Sequence, residues 1–137
     1  MNLLQGAALF SGMALEYETA KRSALDKACV VIETEAKDVI GTYEYGWPPL
    51  KPETVARKAN GDTPLLETGE MRDSIEHTVV GDSGFVGSNS DIAVYQELGT
   101  STIPARSFLG GAAMHKGKEA AEAIGQEVVT KLLGKPA

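Results

Sequence analysis

Cysteine is almost missing: Cys29 is the only one in 137 residues. That excludes an internal disulfide and any metal cluster built on thiolates, and it makes a reducing cytoplasm the simplest site of synthesis. Histidine is nearly as scarce. His77 and His115 are the only two, and neither stands in a zinc-binding spacing such as His-Glu-x-x-His. Aromatics make up 6%, so the core must rely on Ala, Val, Leu and Ile. Positive charge is in deficit, with 13 Lys and Arg against 19 Asp and Glu and a net charge of -6. Such a surface repels phosphate backbones and anionic membranes, which argues against wrapping nucleic acid or docking on a bilayer. No basic residue precedes Lys21, so the start lacks the n-region of a signal peptide. The uncharged stretch 1–15, interrupted by Asn2 and Gln5, is too short to span a bilayer. It reads as the beginning of a helix, or as an arm over about residues 1–12 that orders on a partner. No internal repeat and no low-complexity stretch is found.

What is present fits one domain over 1–137, with 42% hydrophobic residues and 23% charged ones. Residues 11–40 read as one long amphipathic helix, with Tyr17, Ala20, Ala24, Ala28, Val31 and Ile32 near helical spacing and Gly41 as its stop. Residues 41–68 are expected to be largely extended loop. Within them Trp47-Pro48-Pro49 cannot be regular helix, and Pro52 opens a short helix over 53–58. Asn60-Gly61-Asp62 is a turn, and 71–74 one helical turn. Residues 75–80 are β-branched enough for a strand, Gly81-Asp82-Ser83-Gly84 reads as a turn, and 85–87 as a second strand. Residues 89–91 cap a short helix over 92–98, and Gly99 to Ala105 form a loop. Ser107 caps a last helix to about Leu133, with Ala112, Ala113, Ala120, Ile124, Val128 and Leu132 on its apolar side. The fold class is α+β: long N-terminal and C-terminal helices packed on a small antiparallel sheet with a central hairpin and extended loops. A hairpin alone is marginal. It must pack on the helices, pair with further strand, or join a neighbour's sheet.

Little in the chain resembles catalytic machinery. Gly81-Asp82-Ser83-Gly84 matches the tetrapeptide around the nucleophile of trypsin-like proteases, and His77 is near in sequence. The chain is too short for the barrels that hold such a triad, and the four residues are ordinary turn formers. A hydrolase built on Ser83 and His77 is the rival from another class. Residues 111–118 suggest a phosphate loop, yet the glycine spacing is wrong and Glu119 stands where Ser or Thr belongs. Glu16/Glu18 and Glu33/Glu35 lie two apart, so on a helix they diverge. Cys29 is most simply a small buried residue, and both histidines surface or satisfied ones. Lys51, Arg57 and Lys58 make one basic cluster, and Arg106, Lys116 and Lys118 another. Both read as ordinary charged faces.

Four pieces between Trp47 and Leu109 carry a resemblance. They are Trp47-Pro48-Pro49-Leu50 with Thr54; the run from Pro64 to Ile75; Val86-Gly87-Ser88 leading to Ala93-Val94-Tyr95-Gln96-Glu97-Leu98-Gly99-Thr100; and Ile103-Pro104-Ala105-Arg106-Ser107-Phe108-Leu109. In this order the chain resembles the minor tail-component, or tail-completion, families of long-tailed bacteriophages, including the virion-morphogenesis group of Mu-like phages. Ser107 stands where those families usually carry a second proline, and Val94 where alanine is more usual.

The resemblance implies a structural virion protein of the head–tail neck, made in the host bacterial cytoplasm, which completes or joins the tail. It implies a homo-oligomeric ring, commonly hexameric, with the major tail-tube protein and head–tail connector proteins as neighbours. DNA would pass through without specific binding. No catalysis, cofactor, metal or membrane is expected. A head-closure adaptor or tail-tube terminator is the nearest alternative, and an intracellular binding module such as half of a toxin–antitoxin pair a more distant one. The interface candidates are Trp47, Tyr95, Glu97, Arg106 and Phe108, with the long helices, the hairpin edge and the 101–106 loop as surfaces. Tyr95 is expected to bury its ring, and Phe108 to anchor the last helix. Arg106 is expected to make an intersubunit salt bridge or an internal one to an acid such as Glu97.

Overall fold

A computed structural model describes residues 2–133 of the chain. Helix α1 runs from Leu3 to Val39, about 55 Å at 1.5 Å per residue. It begins eight residues before the expected start at residue 11. The reason is local. Asn2 accepts from the Gln5 amide at 2.8 Å, and Gln5 reaches back to the Asn2 amide at 3.0 Å, closing a capping box. Gly6 and Gly12 each cost only about 1 kcal/mol relative to Ala, too little to break a capped helix. The other end behaves as expected. Gly41 takes a left-handed φ of +89° and donates to the Pro64 carbonyl at 2.8 Å.

After the tryptophan segment come α2 (Pro52–Arg57) and α3 (Glu70–Asp73). Strand β1 (Ile75–Val80) pairs antiparallel with β2 (Ser83–Ser88), and α4 (Asp91–Leu98) and α5 (Leu109–Leu133) complete the order. The fold is α+β, with long helices in the N- and C-terminal regions and, among the described residues, a two-stranded sheet.

The long helices lie antiparallel along a seam of small residues. Ala20, Ala24 and Ala36 are buried on α1, and Ala112 and Ala120 on α5. Short side chains let the backbones approach, so few large residues are needed to exclude water. Ala113 was expected on this seam and is exposed, as is Tyr17. Glu127 was not expected there and is buried. Its carboxylate pairs with Lys27 at 2.6 Å and accepts from Ser23 at 2.8 Å, and these two contacts lower its pKa. At the far end of α1 lies the main core: Ala36, Val39, Ile40, Trp47, Met71, Ile75, Ala93, Phe108 and Ala112.

The hairpin packs on α1. Its connection is tighter than the four-residue turn expected for 81–84. Val80 pairs with Ser83 and Val79 with Gly84, so only Gly81 and Asp82 form the loop. Gly81 supplies the positive φ, +58°, that a two-residue hairpin loop needs at its first position. Lys21 on α1 pairs with Asp82 and tethers the tip. Gly84 is required by closeness rather than by torsion, since a Cβ there would meet Cys29 Sγ at 2.6 Å. Strand alternation turns Ile75, His77, Val79, Val86 and Ser88 toward α1. Glu76, Thr78, Val80, Ser83 and Phe85 face outward and are exposed.

Candidate interaction surface

The four motif pieces are distant in sequence and meet in one place. Glu97, near the end of α4, points at the start of α5. Its carboxylate accepts from the backbone amides of Phe108, Leu109 and Gly110, each at 2.9 Å, and from the Ser107 hydroxyl at 2.6 Å. Three of the amides that the first turn of a helix leaves without carbonyl partners are thereby satisfied by a group of the sign the helix dipole favours. Ser107 Oγ accepts in turn from the Gly111 amide at 3.1 Å, so the expected serine cap is present and is itself oriented by Glu97.

Arg106 departs from both expectations for it. The residue is buried, 6% exposed, and its guanidinium donates to carbonyls. Nε and Nη2 reach Pro48 O at 3.1 and 2.8 Å, and Nη2 reaches Pro49 O at 3.4 Å. Glu97 is occupied elsewhere, so there is no internal bridge between the two, and no exposed fork remains for an intersubunit one. The Arg106 amide also donates to Gln96 O at 2.7 Å. Prolines leave free carbonyls in an extended segment that has no ladder of its own, and a buried arginine answers them. Trp47 and Phe108, offered as interface candidates, are buried in the chain's own core, Phe108 at 0% exposure. Phe108 does anchor the start of α5. Gly99, at φ +75°, lets the chain turn where a Cβ would meet the Ala105 amide nitrogen at 2.7 Å.

Tyr95 was expected to bury its ring and is 52% exposed. The difference belongs to the whole helix. α4 sends Ala93 into the core and turns Gln96 and Glu97 partly inward, while Ile92, Val94, Tyr95 and Leu98 point out. Leu98 is 73% exposed and Ile92 60%. Ala93 is the one residue of α4 that is buried, and the large apolar side chains face outward beside the exposed Asp91. Spacings of three and four put these four side chains on contiguous outer positions. Nothing in residues 91–98 announced which side would face the core. The signal available was the apolar spacing itself, which is the same for either orientation.

The candidate dyad does not assemble. Ser83 and His77 lie on opposite faces of the hairpin, and both imidazole nitrogens of His77 face carboxylates of α1. Nε2 lies 2.8 Å from Asp26 and Nδ1 3.4 Å from Glu33, which also pairs with Lys37 at 3.8 Å. The hydrogen bond to Asp26, then that to Glu33, raises the His77 pKa above its ordinary 6.5 against the opposing effect of burial. A raised folded value means that the imidazolium stabilises docking of the hairpin on α1 below pH 6.5. That contribution is lost as pH rises through the folded pKa. Unfolding measured across this window should show wild-type stability falling with pH, and His77→Gln should flatten that slope. An unchanged slope in the variant would remove His77 from the account.

His115 stacks on Tyr45 with centroids 4.1 Å apart, and Tyr45 donates to Glu35 at 2.8 Å. Residues 111–118, whose spacing speaks against a phosphate loop, are helix. The two basic clusters do not form as such, since Arg106 is buried and Lys58 is tied to Glu67 at 3.0 Å. Among the described residues no helix is long and apolar enough to cross a membrane.

No family model, curated protein or solved structure matches the chain. The phage likeness therefore rests on the four sequence pieces alone.

Proposed function

We propose that the chain is a structural protein of a bacteriophage head–tail neck, which completes or joins the tail as one copy in a ring. The observation that carries this reading is the apolar outer face of α4. A lone globule loses free energy by exposing Ile92, Val94, Tyr95 and Leu98 together. A subunit that will be covered does not. The packing of the motif pieces supports the same reading. Trp47, Glu97, Arg106 and Phe108 are used to lock α4 and the start of α5 rigidly together, which holds the apolar helix in a fixed pose for a partner. The acidic balance suits a ring through which DNA slides without sticking.

The test is electron microscopy and light scattering of the purified protein, alone and with tail tubes of the encoding phage. Rings, free or on tube ends, are the expected result. Leu98→Glu should keep the helical circular dichroism of the wild type, because the side chain is exposed, and should abolish those assemblies. A protein that stays monomeric and leaves tubes bare would overturn the proposal.

A further inference from the structure

The proposed ring leaves open what covers α4, and the geometry points to an occupant: the N-terminal turns of α1 from a second copy of this chain. The inference rests on the assembly reading above and names its contact. Glu127 of α5 lies against Ser23 and Lys27 of α1. The helices run antiparallel, so Leu133, six residues further on, comes level with about residue 17. Residues 3–16 of α1 therefore continue past the last described residue of α5 by about 21 Å. Leu3 is 91% exposed and Leu4 80%. No charged residue occurs in 1–15, in a chain that carries 32 charged side chains elsewhere and in the next residues.

Two of the exposed apolar features are thus the uncharged start of α1 and the outer face of α4, which carries Asp91 as its one exposed charge. They cannot satisfy each other within one chain. Ala93 of α4 belongs to the same core cluster as Ala36 and Val39, at the C-terminal end of α1. The arm is the N-terminal end of the same helix, about 50 Å away along a rigid rod. A head-to-tail contact between copies satisfies both, and each copy then gives one arm and receives one. Such a contact is heterologous, the kind that closes into a ring when the rotation between copies permits. The capping box at Asn2 makes the arm a helix to its tip, so little ordering entropy is lost on docking. A bilayer suits the arm less well. Interfacial helices carry Lys or Arg on a polar face, and here none precedes Lys21.

The test uses the full chain in a Cys29→Ala background. Copies carrying Leu4→Cys are mixed with copies carrying Leu98→Cys and oxidised, with Glu119→Cys as the exposed control partner on α5. A 4–98 disulfide formed in large excess over 4–119 is the expected result. Separately, Leu3→Glu with Leu4→Glu should weaken wild-type assembly by about tenfold or more, since two charges would have to enter an apolar contact. Assembly that persists at full strength with equal cross-linking to both partners overturns the arm contact and leaves the ring proposal standing. A wild type that never assembles overturns both. Loss of binding to phosphatidylglycerol vesicles, with assembly unchanged, assigns the arm to a membrane and also overturns the inference.

Discussion

Phe108→Ala should lower the stability of the domain by about 4 kcal/mol, the upper part of the range for truncating a fully buried aromatic. The residue is 0% exposed and sits where α1, the tryptophan segment, α4 and α5 converge. Its neighbours explain why the loss should be large. Ala36, Ala93 and Ala112 are too short to move into the vacated space, and Trp47 is held beside Tyr45 in an edge-to-face contact with centroids 5.8 Å apart. The cavity would stay open, so lost dispersion adds to lost transfer energy. Domains of this size have roughly 5–15 kcal/mol in total, so the variant should be marginal at 37 °C. Urea unfolding should show a much lower midpoint with an unchanged slope. A loss under about 1 kcal/mol would mean that the core collapses around the gap, and that Phe108 is no anchor.

Glu97→Ala should cost about 3 kcal/mol, most of it at one helix terminus. One carboxylate serves three amides and a hydroxyl, and removing it leaves the start of α5 without acceptors in a part-buried place. The measurement is twofold. Thermal unfolding should drop by about 10 °C. Amide exchange should accelerate at Phe108, Leu109 and Gly110 beyond what the global loss explains. Glu97→Gln should lie between wild type and Ala, because it keeps one oxygen acceptor and turns an NH2 toward other donors. Ser107→Ala should cost about 1 kcal/mol, as for an ordinary cap. If Glu97→Ala were no worse than Ser107→Ala, the carboxylate clamp would be geometry without energetic weight.

These two residues also mark how far sequence reading reached. Phe108 as the anchor of the last helix was legible, because a bulky apolar residue beside a capping serine has few other uses. Glu97 was legible only as an acid in a short helix. Its acceptance of amides ten and more residues away depends on how α4 is aimed, and local spacing says nothing about aim. Arg106 was assigned a carboxylate partner because its guanidinium fork suits one. The carbonyls it meets belong to prolines 57 and 58 residues earlier, brought there by the path of residues 41–68. Ser83 and Gly84 were read as turn formers from their type, whereas the sheet needs Gly84 flat against Cys29.

Sequence by itself determined the elements whose causes lie within a few residues. These are the long helices with their small-residue stripes, the stop at Gly41, the strand at 75–80 and the α+β class. Capping, periodicity and backbone torsion act over one or two turns, so they are written locally. Tertiary structure alone decided which way each element faces. It turned Ile92, Val94, Tyr95 and Leu98 outward and Glu97 inward, buried Arg106, sent both nitrogens of His77 to α1, and left the first turns of α1 beyond the end of α5. Orientation is settled by which of several apolar faces can be covered at once, and that depends on all the elements together.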